Sequence, residues 1–344
     1  MNNFRPLLPL LLLALGGIAG LASAKDERPP YLGAIVTDVQ TGQVLFEDKA
    51  DFITPPASMT KLMTFAIIHD KLASGALTLE TPVTVTAEDS KIGGTQVWLK
   101  QGESFPVEEL IYAMMIQSAN DAAHALARTA AGTAPAFVEL MNAKARTLGL
   151  THTTFRTPHG LPPTNRRATD GDLTTPRDYA ALSRYLLLET NVTKYTAIGT
   201  RPFGAKRPNG PVKMDNHNHL LGKVAGVNGL KTGFTTGAGY CLAASAERGG
   251  RGLIVVVMGS PDSKTRDLKV IELFERNFAS TPARLPTVKT DGPSLVAAKP
   301  AELPTVKTEK SSATNPEPAK PTEQSSTARE PGLIFRVTPP LKKP

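Results

Sequence analysis

Apolar positions crowd every side of one stretch. After Pro55-Pro56-Ala57-Ser58-Met59-Thr60-Lys61, the residues Leu62, Met63, Phe65, Ala66, Ile67, Ile68 and Leu72 leave no polar face. A helix that is apolar all round belongs inside a core. The double proline stops what precedes it, and its second member suits a first helical turn. The pattern predicts a buried helix from about Ser58 to Ser74-Gly75. Ahead of it, Tyr31 to Thr37 and Gln43 to Phe46 are β-rich runs around a Thr41-Gly42 turn, which predicts a hairpin. Residues 81–104 read as short strands and loops, broken at Gly93-Gly94 and Gly102.

From Pro106 the period turns helical, with Val107, Leu110, Ile111, Met114 and Met115 on one face. It breaks at Gln117 to Asp121, resumes as an alanine-rich helix to Ala131, and is followed by a third helix from Pro135 to Leu148 with Gly149 as its cap. Residues 150–175 are loop-like, and Thr175-Pro176 opens a helix to about Leu188. Three strands follow at short spacing: Gly229 to Thr235, Gly239 to Ala246 and Gly252 to Gly259. The run Leu253 to Met258 suits a strand covered on both faces. A last helix, Arg266 to Phe278, turns Leu268, Ile271, Leu273, Phe274 and Phe278 mostly one way. Strands from both ends with helices between them predict an α/β (α+β) fold. Its sheet is mostly antiparallel, is built from N- and C-terminal strands and flanked by helices, and carries an all-helical insert.

Composition then sets boundaries. Leu7 to about Ile18 is apolar and ends at Ala22-Ser23-Ala24, before the charged Lys25-Asp26-Glu27-Arg28. Such a segment is expected to be a secretory signal (1–24), too short for a convincing span. The protein is then exported, periplasmic or in the cell envelope, either soluble or peripheral to the membrane. Beyond Ser280, Pro, Thr, Ser, Lys, Glu and Ala dominate, and Leu285-Pro286-Thr287-Val288-Lys289-Thr290 recurs at 303–308. Residues 281–344 are expected to be a disordered tail, leaving 25–280 as one catalytic domain. Cys241 is the single cysteine, so no intrachain disulfide and no cysteine-based zinc site can form. The net charge of +8 would suit nucleic acid, but an exported chain seldom meets it; wall polymer or a lipid surface, touched weakly through the basic tail, fits better.

Candidate chemistry begins with Ser58 and Lys61, three residues apart and so on one helical face. A serine within reach of a buried lysine is a recipe for a nucleophile with its own base, but taken alone the pair reads more simply as a capping serine beside a snorkelling lysine. Ser118-Ala119-Asn120 lies at the break between two helices, and Lys231-Thr232-Gly233 lies on an expected strand. Each alone is weak. Together and in this order they form the S-x-x-K, S-x-N, K-T-G set of penicillin-recognising enzymes. His217 and His219 are closely spaced without an H-E-x-x-H pattern, so a structural or cavity-lining role is expected of them, with no metal or cofactor.

Over residues 31–278 the chain resembles the serine-type D-alanyl-D-alanine carboxypeptidases, the low-molecular-mass penicillin-binding proteins. The likeness extends to Thr41-Gly42-Gln43-Val44-Leu45, His159-Gly160-Leu161-Pro162, Thr175-Pro176-Arg177-Asp178 and Gly229 through Tyr240. The resemblance implies a β-lactamase/transpeptidase-like fold and a peptidoglycan stem peptide as substrate, with β-lactams as inhibitors. It implies that Ser58 is the nucleophile, that Lys61 is a base kept neutral by burial and by Lys231, and that Ser118 relays the proton to the leaving amine. Asn120 would hold Lys61 and the substrate backbone. Lys231, Thr232, Gly233 and Thr235, with Arg266, would grip the terminal carboxylate, and backbone N–H groups of Ser58 and Phe234 would form the oxyanion hole. Phe234 stands where relatives often carry a polar residue or histidine. Between Glu139 and Glu189 there is no glutamate to serve as a class A β-lactamase base, so slow release of bound penicillin is expected. A D,D-endopeptidase or β-lactamase on the same fold, and a non-catalytic wall-binding protein, are the alternatives.

Overall fold

The computed structural model describes residues 29–165 and 167–280; the expected signal segment and the tail from 281 lie outside them. The chain opens with the hairpin β1 (Gly33–Asp38) and β2 (Val44–Asp48). A 3-10 turn, Ala57–Thr60, leads into α1 (Lys61–Ala73). A small ribbon, β3 (Pro82–Thr84) with β4 (Ser104–Pro106), precedes α2 (Val107–Tyr112), a π-helical turn at Ala113–Gln117, α3 (Asn120–Ala131) and α4 (Ala134–Thr147). Then come α5 (Pro176–Glu189), α6 (Thr193–Thr196) and a hairpin of β5 (Thr200–Phe203) with β6 (Val212–Asp215). Strands β7 (Val227–Thr235), β8 (Gly239–Arg248) and β9 (Arg251–Ser260) and helix α7 (Ser263–Ala279) close the fold.

The main sheet has the order β2-β1-β9-β8-β7 and is antiparallel at every pairing. Strand β9 sits at its centre, with Ile35 opposite Val256 on one side and Ala243 opposite Val256 on the other. Alternation sorts its side chains. Ala34, Val36, Val255 and Val257 pack with Val270, Leu273 and Phe274 of α7, while Ile35, Ile254, Val256 and Met258 join the larger core under α1. Both faces are covered, so Leu253 to Met258 are fully buried and need no polar alternation.

Helix α1 is enclosed as its composition requires: Lys61 through Ile68 are all buried. Helix α7 starts three residues earlier than periodicity alone indicates, because Asp262 caps it, accepting from Thr265 N at 2.8 Å. Thr175 likewise caps α5 by accepting from Asp178 N at 3.1 Å, with Pro176 in the first turn.

Candidate active site

The segment that enters α1 carries Ser58, the candidate nucleophile. Ala57 has φ +49, a left-handed conformation that costs a residue with a Cβ about 1–2 kcal/mol. Strain of this kind collects at functional sites. Lys61 Nζ lies 3.0 Å from Ser58 Oγ, 2.7 Å from Asn120 Oδ1 and 2.7 Å from the His159 carbonyl oxygen. Asn120 Nδ2 donates to the Gly93 carbonyl at 2.8 Å, so its oxygen faces the lysine. Two of the three partners can only accept. A neutral amine satisfies them with its two N–H groups and turns its lone pair to Ser58 Oγ, the one partner able to donate. Burial, and then the charge of Lys231, hold Lys61 well below the ordinary lysine range. The geometry accommodates an unprotonated lysine, and burial favours it.

Ser118 follows the π-helical turn with φ +64, and α3 begins two residues later. This reversal aims Ser118 into the same cavity as Ser58 while Asn120 stays buried behind it. On the opposite wall runs β7. A Cβ on Gly233 would meet Pro56 O at 2.5 Å and Ser58 N at 3.1 Å, and one on Gly160 would meet Ala57 O at 2.0 Å. Strand, loop and nucleophile turn thus touch backbone to backbone, which only glycine permits.

The cavity between these walls is about 310 Å³ and brings together Ser58, Ser118, Thr232, Gly233, Phe234 and Arg266. Arg266 is buried and held by Asp267 Oδ1 through Nε at 2.9 Å and Nη2 at 2.6 Å. Lys231 is buried beneath the strand, donating to the Thr232 carbonyl at 3.1 Å. Burial, then the charge of Arg266, bring Lys231 down to about 7; burial, then Lys231, bring the cavity-lining His217 down to about 4. An anion entering beside Arg266 would favour the charged form of Lys231 and complete the site.

Lys61, Asn120 and Lys231 thus stand directly behind the cavity wall. Thr235 faces an adjoining cavity of about 460 Å³ with Leu161, Pro162 and Asp172, and its Oγ1 accepts from Ala238 N at 3.1 Å. His217 and His219 line the Ser58 cavity as expected, His219 reaching Asp267 at 3.2 Å. Sequence reasoning missed Thr95, Tyr240 and Ser263 on the wall, and the His159 carbonyl behind it. It also missed Asp172, whose buried carboxylate accepts from Thr60 and Thr157 hydroxyls and from the Arg156 and Thr157 amides. Its four partners leave it little freedom to act as a base.

Residues 31–262 match the family model of D-alanyl-D-alanine carboxypeptidases. The chain belongs to that family. It is 34% identical over 247 residues to the D-alanyl-D-alanine carboxypeptidase DacF of Bacillus subtilis, covering 72% of this chain and 61% of the relative. With DacC of Escherichia coli it shares 37% over 239 residues, covering 67% and 57%. The chain spans about three-fifths of the length of these curated relatives. A penicillin-binding protein of Listeria monocytogenes, solved with ampicillin bound, superposes with a TM-score of 0.64 at 30% identity, covering 73% of this chain and 98% of that one. The fold is therefore that of penicillin-binding carboxypeptidases: an antiparallel sheet flanked by helices with a helical insert.

Proposed function

We propose that this protein is a serine D-Ala-D-Ala carboxypeptidase that removes the terminal D-Ala from peptidoglycan pentapeptides through a Ser58 acyl-enzyme, and that β-lactams acylate the same serine. The observation that carries this reading is Lys61 Nζ, buried and 3.0 Å from Ser58 Oγ, where burial disfavours its charged form. Ser58 Oγ attacks the penultimate D-Ala carbonyl carbon while its proton passes to Lys61. The tetrahedral oxyanion lies against the Ser58 and Phe234 amides, the first of them in the first turn of a helical segment. The C–N bond then breaks, the amine leaves with a proton relayed by Ser118, and water hydrolyses the ester to regenerate Ser58. Lys231, Thr232 and Arg266 receive the carboxylate of the leaving residue, which selects a free C-terminus; Thr235 assists from the edge of the strand. Asn120 holds Lys61 by its oxygen. The ampicillin held by the Listeria relative supports β-lactams as ligands.

No helix among the described residues is long and apolar enough to cross a membrane. Work outside the cytoplasm rests on the composition of residues 1–24, and weak contact with wall or membrane on the basic tail.

The test is product analysis with a pentapeptide ending in D-Ala-D-Ala and with a cross-linked peptide dimer. Release of free D-Ala at a rate well above dimer cleavage is expected. Cleavage of the dimer alone would make the protein an endopeptidase, and turnover of penicillin at a rate rivalling peptide turnover would make it a β-lactamase.

A further inference from the structure

Trp98 is the only tryptophan of the chain. It exposes 59% of its surface, more than any other large apolar side chain among the described residues, and its φ is +55. A bulky residue in left-handed backbone is an outlier, and the surroundings hold it there. The amides on either side, Val97 N and Leu99 N, donate to Asp121 at 3.3 and 3.0 Å. Arg207 from the β5–β6 connection donates to the Val97 carbonyl at 2.7 Å and to the Trp98 carbonyl at 3.3 Å. Val97 and Leu99 are buried, so the segment is anchored on both sides and the indole alone faces water.

The anchor belongs to the catalytic apparatus. Asp121 follows Asn120, and Asn120 N donates to the Thr95 carbonyl at 2.8 Å. Thr95 lines the Ser58 cavity. Gly94 packs against both Asn120 and Leu161, and Leu161 lines the adjoining cavity. The loop is therefore a rim shared by the two cavities. Trp98 stands three residues from Thr95, at most about 10–11 Å of extended chain.

We infer that Trp98 is a substrate-binding platform that stacks on a C–H face of the peptidoglycan substrate beyond its scissile D-Ala-D-Ala. The inference rests on the carboxypeptidase reading. An aromatic side chain has few torsions to lose when it is covered, and its backbone is already anchored here before binding. Two parts of the substrate offer such a face: the sugar ring that bears the stem peptide, and the methylene run of the diamino acid at its third position. Benzylpenicillin carries neither the sugar nor the methylene run, so its acylation should depend on Trp98 much less.

The single indole reports its own contact. The full-length Ser58→Ala chain is titrated with disaccharide-pentapeptide, with free pentapeptide and with diacetyl-Lys-D-Ala-D-Ala, following tryptophan emission alongside calorimetric binding. A saturable change in emission is expected with at least the disaccharide-pentapeptide. A change confined to that ligand identifies the sugar, and an equal change with free pentapeptide identifies the diamino acid. In the Ser58 protein, Trp98→Ala should lower kcat/KM for disaccharide-pentapeptide about tenfold and benzylpenicillin acylation less than about twofold, with Trp98→Phe restoring most of the loss. Calorimetric binding without an emission change, or Trp98→Ala turning over every substrate normally, overturns the inference and leaves the carboxypeptidase reading intact. Absence of both penicillin acylation and D-Ala release in the unaltered protein overturns the carboxypeptidase reading, and this inference with it.

Discussion

Replacing Lys61 with methionine is expected to slow acylation of Ser58 by about 10³-fold, within the 10²–10⁴ range of a lost general base. At about 1.4 kcal/mol per tenfold, that is about 4 kcal/mol of transition-state stabilisation. Methionine keeps the buried volume, so packing around α1 survives. What goes is the lone pair aimed at Ser58 Oγ, together with donors to Asn120 Oδ1 and the His159 carbonyl. A merely structural lysine would produce an unfolding phenotype without this selective loss. Stability carries a second signature. The folded pKa of Lys61 lies well below the usual value because of burial, so the unfolded chain binds that proton more tightly than the native one. The native state is then penalised as pH falls from about 10.4, the unfolded value, through the folded pKa. Lys61→Met removes that penalty, so its stability relative to the unaltered protein should improve as pH falls through this window in denaturant titrations.

The second large effect concerns Lys231. Lys231→Met should reduce kcat/KM for a free-carboxylate substrate by about 10²–10³, since losing one partner of a buried charge pair costs about 2–5 kcal/mol. A C-terminally amidated analogue, poor already, should change much less. Its pH dependence has a definite sign. With the cavity empty, Lys231 sits at about 7, and a carboxylate binds the protonated form. Above that pH, binding requires proton uptake, so kcat/KM should fall as pH rises through about 7. A bound carboxylate raises the lysine pKa, so kcat should hold to higher pH. Protonation of Lys61 is expected to set the acid side of kcat/KM. Steady-state profiles on both substrates check this; an alkaline limb shared equally by the amide would exclude Lys231 as its source.

Much of this was legible in the residues themselves. The all-round apolarity of Leu62 to Ile68 announced a buried helix, and the run Leu253 to Met258 announced a covered strand. Both depend on burial that periodicity encodes. The β5–β6 hairpin escaped because its strands are four residues long and Pro202, Gly204, Pro208 and Gly210 break any alternation. The π-helical turn that sets Ser118 is a tertiary adjustment with no local signature. Motif order brought Ser58, Lys61, Ser118, Asn120 and Lys231 together on paper. The partners that tune them, the His159 carbonyl and the Gly93 carbonyl, lie at separations of 98 and 27 residues in sequence, and backbone acceptors leave no mark on residue type. Thr235, two residues beyond the motif on β7, faces the adjoining cavity, a placement that the motif alone does not reveal.

The central claim is that Ser58, activated by Lys61, is the acyl acceptor. Intact-protein mass spectrometry after incubation with benzylpenicillin tests it most directly. The unaltered protein should gain the mass of one penicilloyl group, mapped by proteolysis to the peptide containing Ser58, and Ser58→Ala should gain none. An unmodified unaltered protein, or an adduct that persists in Ser58→Ala, would contradict the account.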